Sequence, residues 1–280
     1  MDVLLQIIRA TDLNVYDFFN GLAGNWFLDR LASHAEANQL LRGGFFLAFY
    51  WYRWFQAGSD REKRRKAIVV ILLATLLAVV FARMLAHATP FRTRPMYDLA
   101  VQHRPYSVPV IGDLENWSAF PSDTAAYFFA LACGVAYMAR RFTIPIMAYT
   151  AGWICLPRVY FGVHWASDIV AGAAIGIAVV WFSLRTEWLW ARVTSRVLGV
   201  VDAFPQVFYA AAFIFSFELS TRLADIPGPA RAVAHLVRLA LRRESTGMSL
   251  IFIAILGLSA IAAWFCSGGR GRRYFRARQG

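Results

Sequence analysis

The run AIVVILLATLLAVVFARML, residues 67–85, decides the fold. It is almost wholly aliphatic and broken only near its end by Arg83. At about 1.5 Å of rise per residue, roughly 20 such residues cross about 30 Å of hydrocarbon, so this stretch is expected to span a membrane. The basic run Arg61-Glu62-Lys63-Arg64-Arg65-Lys66 lies directly before it, and such clusters mark cytoplasmic helix ends. The whole chain agrees: its 280 residues are 59% hydrophobic and 16% charged, too apolar for an ordinary soluble domain.

Working outward fixes a topology. Leu40 to Gln56 is the preceding span, with its basic end inside. The segment from Ala67 crosses outward, which places the loop Ala88 to Ala119 on the outer face. Pro90, Pro95, Pro105 and Pro109 argue against a regular helix through that loop. Ala125 to Ala139 returns to Arg140-Arg141, Thr143 to Leu156 leaves, and Trp165 to Leu184 comes back to Arg185, Arg192 and Arg196. Three basic clusters thus support one orientation.

The ends are expected to differ from this core. Asp12, Asp17 and Asp29 interrupt the apolar opening, so residues 1–38 read as one or two interfacial or re-entrant helices. No basic leader or small-residue cleavage site marks a signal peptide there. Residues 39–185 form the transmembrane core, and residues 186–280 form an extension with about two further spans, Phe204 to Leu219 and Met248 to Phe265. Arg231, Arg238, Arg242 and Arg243 then fall outside, against the charge rule. Their interleaving with Val233, Leu236, Val237, Leu239 and Leu241 suits a surface-lying amphipathic helix. Arg270, Arg272, Arg273, Arg276 and Arg278 make a basic tail.

The net charge of +12 is therefore spent on membrane ends and anionic ligands, and nucleic-acid binding is not expected. Cys133, Cys155 and Cys266 match neither a disulfide framework nor a zinc site. Neither a metal nor a cofactor is called for.

The chemistry-bearing residues converge on the outer face. Arg158, His164 and Asp168 stand at the mouth of the span beginning at Trp165. On a helix His164 and Asp168, four apart, would share a face, with Asp168 fixing the imidazole tautomer. Arg158 supplies a planar cation for phosphate oxygens. Arg94-Pro95 lies in the other outer loop. Pro121-Ser122-Asp123-Thr124 opens the next span, where free N–H groups and a positive dipole end form an anion site. His34, His103 and His235 carry no motif and read as ordinary surface or interfacial residues.

These residues resemble the motifs of the type-2 phosphatidic acid phosphatase superfamily, membrane lipid phosphatases related in fold to vanadium haloperoxidases. The family motif Ser-Arg-x5-His-x3-Asp is matched by Arg158, His164 and Asp168, with Pro157 in place of Ser. Lys-x6-Arg-Pro is matched at Arg94-Pro95, with His87 at the lysine position. Pro-Ser-Gly-His reads Pro121-Ser122-Asp123-Thr124, so Asp replaces Gly and Thr replaces His. The resemblance covers about residues 80 to 180 and looks like the bacterial branch acting on polyprenyl diphosphates.

The resemblance implies an all-α polytopic bundle, in a bacterial inner membrane, with its site facing the periplasm or outside. His164 would attack phosphorus to give a phosphohistidine and Asp168 would orient it. Arg94, Arg158 and the Ser122 backbone would hold the phosphate of a phosphorylated lipid, with His87 and Asp123 beside them. Thr124 stands where the family's leaving-group acid belongs, and its hydroxyl cannot act as an acid near neutral pH. Three readings follow: a preference for diphosphates, whose leaving group needs less protonation; His87 as a displaced acid or phosphate ligand; or a protein that binds lipid phosphate without turnover. A phosphotransferase is a further alternative, whereas haloperoxidase chemistry does not suit a membrane span.

Overall fold

The computed structural model describes residues 2–108 and 114–220, which form one compact unit, Met1–Arg222. The expected amphipathic helix at 230–243, the span at 248–265 and the basic tail lie outside the described residues.

The described residues are all-α. Helices α1 (Asp2–Asn20) and α2 (Trp26–Ala37) precede α3 (Phe45–Phe55), which is entered through a π-helical stretch Leu40–Gly44. Next come α4 (Arg61–Ala88) and α5 (Asp123–Met138), separated by the long loop expected on the outer face and called the outer loop below. Helix α6 (Thr143–Tyr149) runs through a second π-helical stretch, Thr150–Cys155, into α7 (Leu156–Tyr160). Then follow α8 (Ala166–Arg185), α9 (Glu187–Ala203) and α10 (Pro205–Ser220). Each stretch expected to span, as far as Leu219, contains helix. Only α4 and α8 are by themselves long and apolar enough to cross a bilayer. Helix α9 was not expected.

The core is the packing of α4, α5 and α8. Ile71, Ala74 and Ala78 of α4 meet Phe128 and Leu131 of α5, Val180 of α8 and Phe46 and Tyr50 of α3 in one apolar cluster. Helix α5 is apolar nearly all round, and it is accordingly buried on every side from Thr124 to Ala132. The α5 to α8 contact is close because Gly172 and Gly176 have no side chain. A Cβ on Gly172 would lie 2.2 Å from the Ser122 carbonyl oxygen, and one on Gly176 2.2 Å from that of Ala126. Main chain therefore rests on main chain, as glycines four apart on a helix permit.

The N-terminal aspartates act as handles for the outer loop rather than mere interruptions of an apolar helix. Asp12, 2% exposed, binds Arg92 and Ser167. Asp29 accepts bonds from the Ser107 main chain and hydroxyl and from the Tyr160 hydroxyl. Asn20 adds bonds to the Gln102 carbonyl and the Arg104 N–H. Burying such carboxylates is tolerable only because each is multiply hydrogen-bonded.

Candidate active site

The site is built where the outer loop meets the turn between α7 and α8. Chain reversal there needs Gly162, whose φ of 64° is one that side chains resist, and whose carbonyl accepts from Met96 N–H at 2.9 Å. This contact brings Arg94 to the turn. Helix α5 arrives through Ser122, which caps it by accepting from Ala125 N–H and donates its own N–H to the Asp168 carbonyl at 3.1 Å.

His164 and Asp168 do not share a helix face as the spacing suggested. His164 lies two residues before α8, and Asp168 is at the helix's third position, where its Oδ2 accepts the Trp165 N–H at 2.8 Å. Both are buried. His164 Nδ1 is 2.9 Å from the Ala119 carbonyl oxygen but 3.8 Å from Asp168 Oδ2. The expectation that Asp168 fixes the tautomer is thus corrected. The carbonyl can only accept, so it holds the proton on Nδ1, while Asp168 is near enough to act as a charge but too far to hydrogen-bond. Nε2 is left with its lone pair, facing Arg94 Nη1 at 3.3 Å.

Burial is the main cause that pushes the His164 imidazole below its ordinary pKa; the like charges of Arg158 and Arg94 add to this, and Asp168 opposes it. The result is a neutral imidazole whose unprotonated Nε2 faces the Arg94 guanidinium.

Arg94 is 7% exposed and is aimed by carbonyls: Nη1 donates to Val163 O at 2.8 Å, Nε to Trp117 O at 3.1 Å and Nη2 to Ser118 O at 3.4 Å. Carbonyl dipoles orient the guanidinium without cancelling its charge. Among the described residues no carboxylate pairs with it. Arg158 donates to Glu36 Oε2 at 3.2 Å, and the same oxygen takes Arg42 at 3.1 Å, so one carboxylate serves two cations.

The remaining expected residues fall at the edge. Asp123 pairs with Arg83 at 3.2 Å, which accounts for its acid charge beside an anion site. Thr124 is fully buried on the first turn of α5, its hydroxyl 3.4 Å from Asp123 Oδ1. His87 is exposed at the end of α4, and among the described residues no hydrogen bond or ion pair joins it to the site.

Sequence reasoning missed Arg92, Asp12 and Glu36. Arg92 bridges three groups: Nη1 donates to Asp168 Oδ1 at 2.5 Å and Ser167 Oγ at 2.7 Å, and Nη2 to Asp12 Oδ2 at 2.6 Å. Its only sequence signal is the alternation Arg92-Thr93-Arg94 in a loop expected at the anion site. Asp12 and Glu36 gave none.

A neutral buried imidazole beside an arginine that no carboxylate pairs with, and beside a helix N-terminus, can take an anion and present a nucleophile to it. Comparison with known proteins finds lipid phosphatases among those similar to the chain. Residues 67–192 match the family model described as the PAP2 superfamily. A lipid A 1-phosphatase of Rhizobium johnstonii is 29% identical over 177 residues, covering 62% of this chain and 59% of that protein. The bacitracin transport permease protein BcrC of Bacillus licheniformis is 24% identical over 187 residues, covering 62% of this chain and 80% of that protein. A lipid A 1-phosphatase of Rhizobium etli is 27% identical over 182 residues, covering 64% of each. The chain thus spans less than two thirds of the length of the two Rhizobium proteins. No solved structure matches. The matched stretch encloses Arg92, Arg94, Ser122, Arg158, His164 and Asp168, and over it the chain is similar to the PAP2 superfamily.

Proposed function

We propose that this protein is a multi-pass membrane phosphatase that removes the terminal phosphate of a polyprenyl diphosphate, or of a related lipid phosphate, at the outer face of a bacterial inner membrane. One observation carries the reading: buried Arg94 is hydrogen-bonded by carbonyls and paired with no carboxylate among the described residues, and its Nη1 lies 3.3 Å from Nε2 of His164. Substrate phosphate would take the carbonyl-aimed fork of Arg94, with Arg158 and the first turn of α5 sharing its charge. The two apolar helices α4 and α8, and basic clusters at one end of the bundle, support the membrane setting.

The reaction follows from the tautomer. His164 Nε2 attacks the terminal phosphorus, the bond from phosphorus to the bridging oxygen breaks, and the polyprenyl monophosphate leaves with the electron pair. Nδ1–H on the Ala119 carbonyl stabilises the cationic ring that forms, with Asp168 as counter-charge. Water then attacks the phosphohistidine, releasing phosphate and regenerating His164, and its proton passes to solvent. Rapid quenching of the full chain with terminally labelled polyprenyl diphosphate should trap an acid-labile, alkali-stable label on His164. A burst of free phosphate with no protein-bound label would overturn the mechanism.

No histidine in the second motif protonates the leaving group, which favours a diphosphate over a phosphomonoester. Thr124→Ala is accordingly expected to change kcat by less than about 10-fold, whereas loss of a working general acid costs about 100-fold or more. Measured on diphosphate and monophosphate substrates, a large loss would assign Thr124 a chemical role that its bond to Asp123 does not suggest.

The lowered His164 pKa gives a pH profile. Only the neutral ring is nucleophilic, so kcat/KM should hold as pH falls through about 6.5, the ordinary value, and drop only at the lower pKa of the folded protein. Stability shifts in the same window. The unfolded chain takes up the proton first, so the folded state loses stability as pH falls from about 6.5 to the folded pKa. A pH profile with its acid midpoint above 6.5 would contradict the buried neutral imidazole.

A second reading, a lipid-phosphate-binding protein without turnover, draws on Thr124 and on the contact of Arg94 with Nε2. Binding of a labelled lipid phosphate with no phosphate release would favour it.

A further inference from the structure

The end of the bundle away from His164 holds a second concentration of positive charge, and it is shaped as a cavity. The last turn of α3, the start of α4, the end of α5 and the turn after it line an open cavity of about 360 Å³ between Arg53, Asp60, Lys63, Arg64, Tyr137 and Arg140. Four cations face one acid there. Helix α4 carries the chain from this cavity to the outer loop, so the two sites lie at opposite ends of a 28-residue helix, about 40 Å at 1.5 Å per residue.

The cations are aimed but not neutralised. Arg53 Nη1 donates to Gln56 Oε1 at 2.7 Å and Nη2 to the Met138 carbonyl at 3.3 Å. Arg64 Nη2 donates to the carbonyls of Gln56 at 2.6 Å and Ala57 at 3.2 Å. The Nε atoms of both arginines are buried without a hydrogen-bond partner. Among the described residues no carboxylate pairs with Arg53, Lys63, Arg64 or Arg140. Orientation in a membrane requires basic residues near helix ends, but it does not require four of them from three elements to line one cavity.

An adjoining cavity of about 680 Å³ shares Asp60, Lys63 and Tyr137, and its lining mixes Leu184, Trp188 and Trp190 with Glu62, Lys66 and Glu187. A strongly cationic chamber opening beside one of mixed lining that carries two tryptophans suits a ligand with an anionic head and an amphipathic neck. We infer that this is a binding site for a phosphate group, supplied by the headgroup of an anionic phospholipid of the inner leaflet. Forked guanidinium groups suit phosphate oxygens, and the tryptophans suit the interfacial depth at which acyl chains begin. The site is separate from the proposed catalytic one and does not depend on its chemistry.

The test uses the full chain in neutral detergent, with its unfolding temperature read after addition of phosphatidylglycerol, phosphatidylcholine or sodium phosphate. The exposed pair Lys63 and Arg140 can be neutralised with little risk to the fold, as Lys63→Gln/Arg140→Gln. Phosphatidylglycerol should raise the wild-type unfolding temperature by about 5 °C more than phosphatidylcholine, and the excess should largely vanish in the double variant while phosphatase activity is kept. An equal, variant-sensitive shift from sodium phosphate alone would support the site with free phosphate as its source. Equal shifts from the two lipids, or a phosphatidylglycerol shift undiminished in the variant, would overturn the proposal. Arg140→Gln alone, expected to lose about half of the excess, serves if the double variant does not fold.

Discussion

His164→Ala is expected to lower phosphate release from a polyprenyl diphosphate by about 10⁵-fold, into the background, because it removes the nucleophile and leaves only the binding groups. The loss should fall on kcat, since Arg94 keeps its bonds to the carbonyls of Val163, Trp117 and Ser118 and still offers a cation to phosphate. Single-turnover phosphate release by detergent-purified protein, with phosphatidic acid and a polyprenyl monophosphate in parallel, makes the measurement. Wild-type release from the diphosphate that survives the substitution would remove His164 from the mechanism. Absence of release from any substrate in the wild type would move the reading to a transferase or a binding protein.

The second large effect is expected at Arg92, a residue that belongs to stability as much as to chemistry. Arg92→Leu leaves Asp12, 2% exposed, and Asp168, fully buried, without their shared cation. Removing one partner of a buried pair costs about 3–5 kcal/mol, since the remaining charge stays desolvated. Denaturation in detergent should show that loss, and kcat should fall with it because only the Trp165 N–H and the helix itself then hold Asp168 near His164. Arg92→Lys is expected to recover only part of both, since one ammonium cannot reproduce a fork that reaches Asp12, Ser167 and Asp168 together. Unchanged stability in Arg92→Leu would mean that α1 is not anchored to the site through Asp12.

Much of the architecture was legible because it is written locally. The aliphatic run at 67–85 and the apolar stretches bounded by basic clusters report helix within one short window of sequence. The spacing of Arg158, His164 and Asp168 likewise survives in one segment, and Arg94-Pro95 stands out in a loop without helical periodicity. What stayed hidden depends on long-range pairing. Arg92 meets Asp12 from 80 residues away, and Arg158 meets Glu36 from 122. Asp12 and Asp29 looked like faults in an apolar helix because their partners lie in another segment. The geometry of His164 was hidden for a different reason. A histidine four residues before an aspartate fits a helix face equally well, and only the Gly162 turn and the Ala119 carbonyl show that it precedes the helix.

The contact of Gly172 and Gly176 with the α5 main chain bears on how this site can change over time. A helix seated through side chains can be shimmed, because one side chain's loss is another's gain. A helix seated on bare backbone has no such slack, and Asp168 lies one turn from that seat on the same helix. Any side chain added at Gly172 must lift α8 off the Ser122 carbonyl, and so must shift together the two backbone segments joined by the bond from Ser122 N–H to Asp168. Variation in substrate among such proteins is therefore expected to accumulate on α1, α2 and the outer loop, which touch the site through replaceable side chains. The α5 to α8 seam acts as the fixed datum from which the rest is measured.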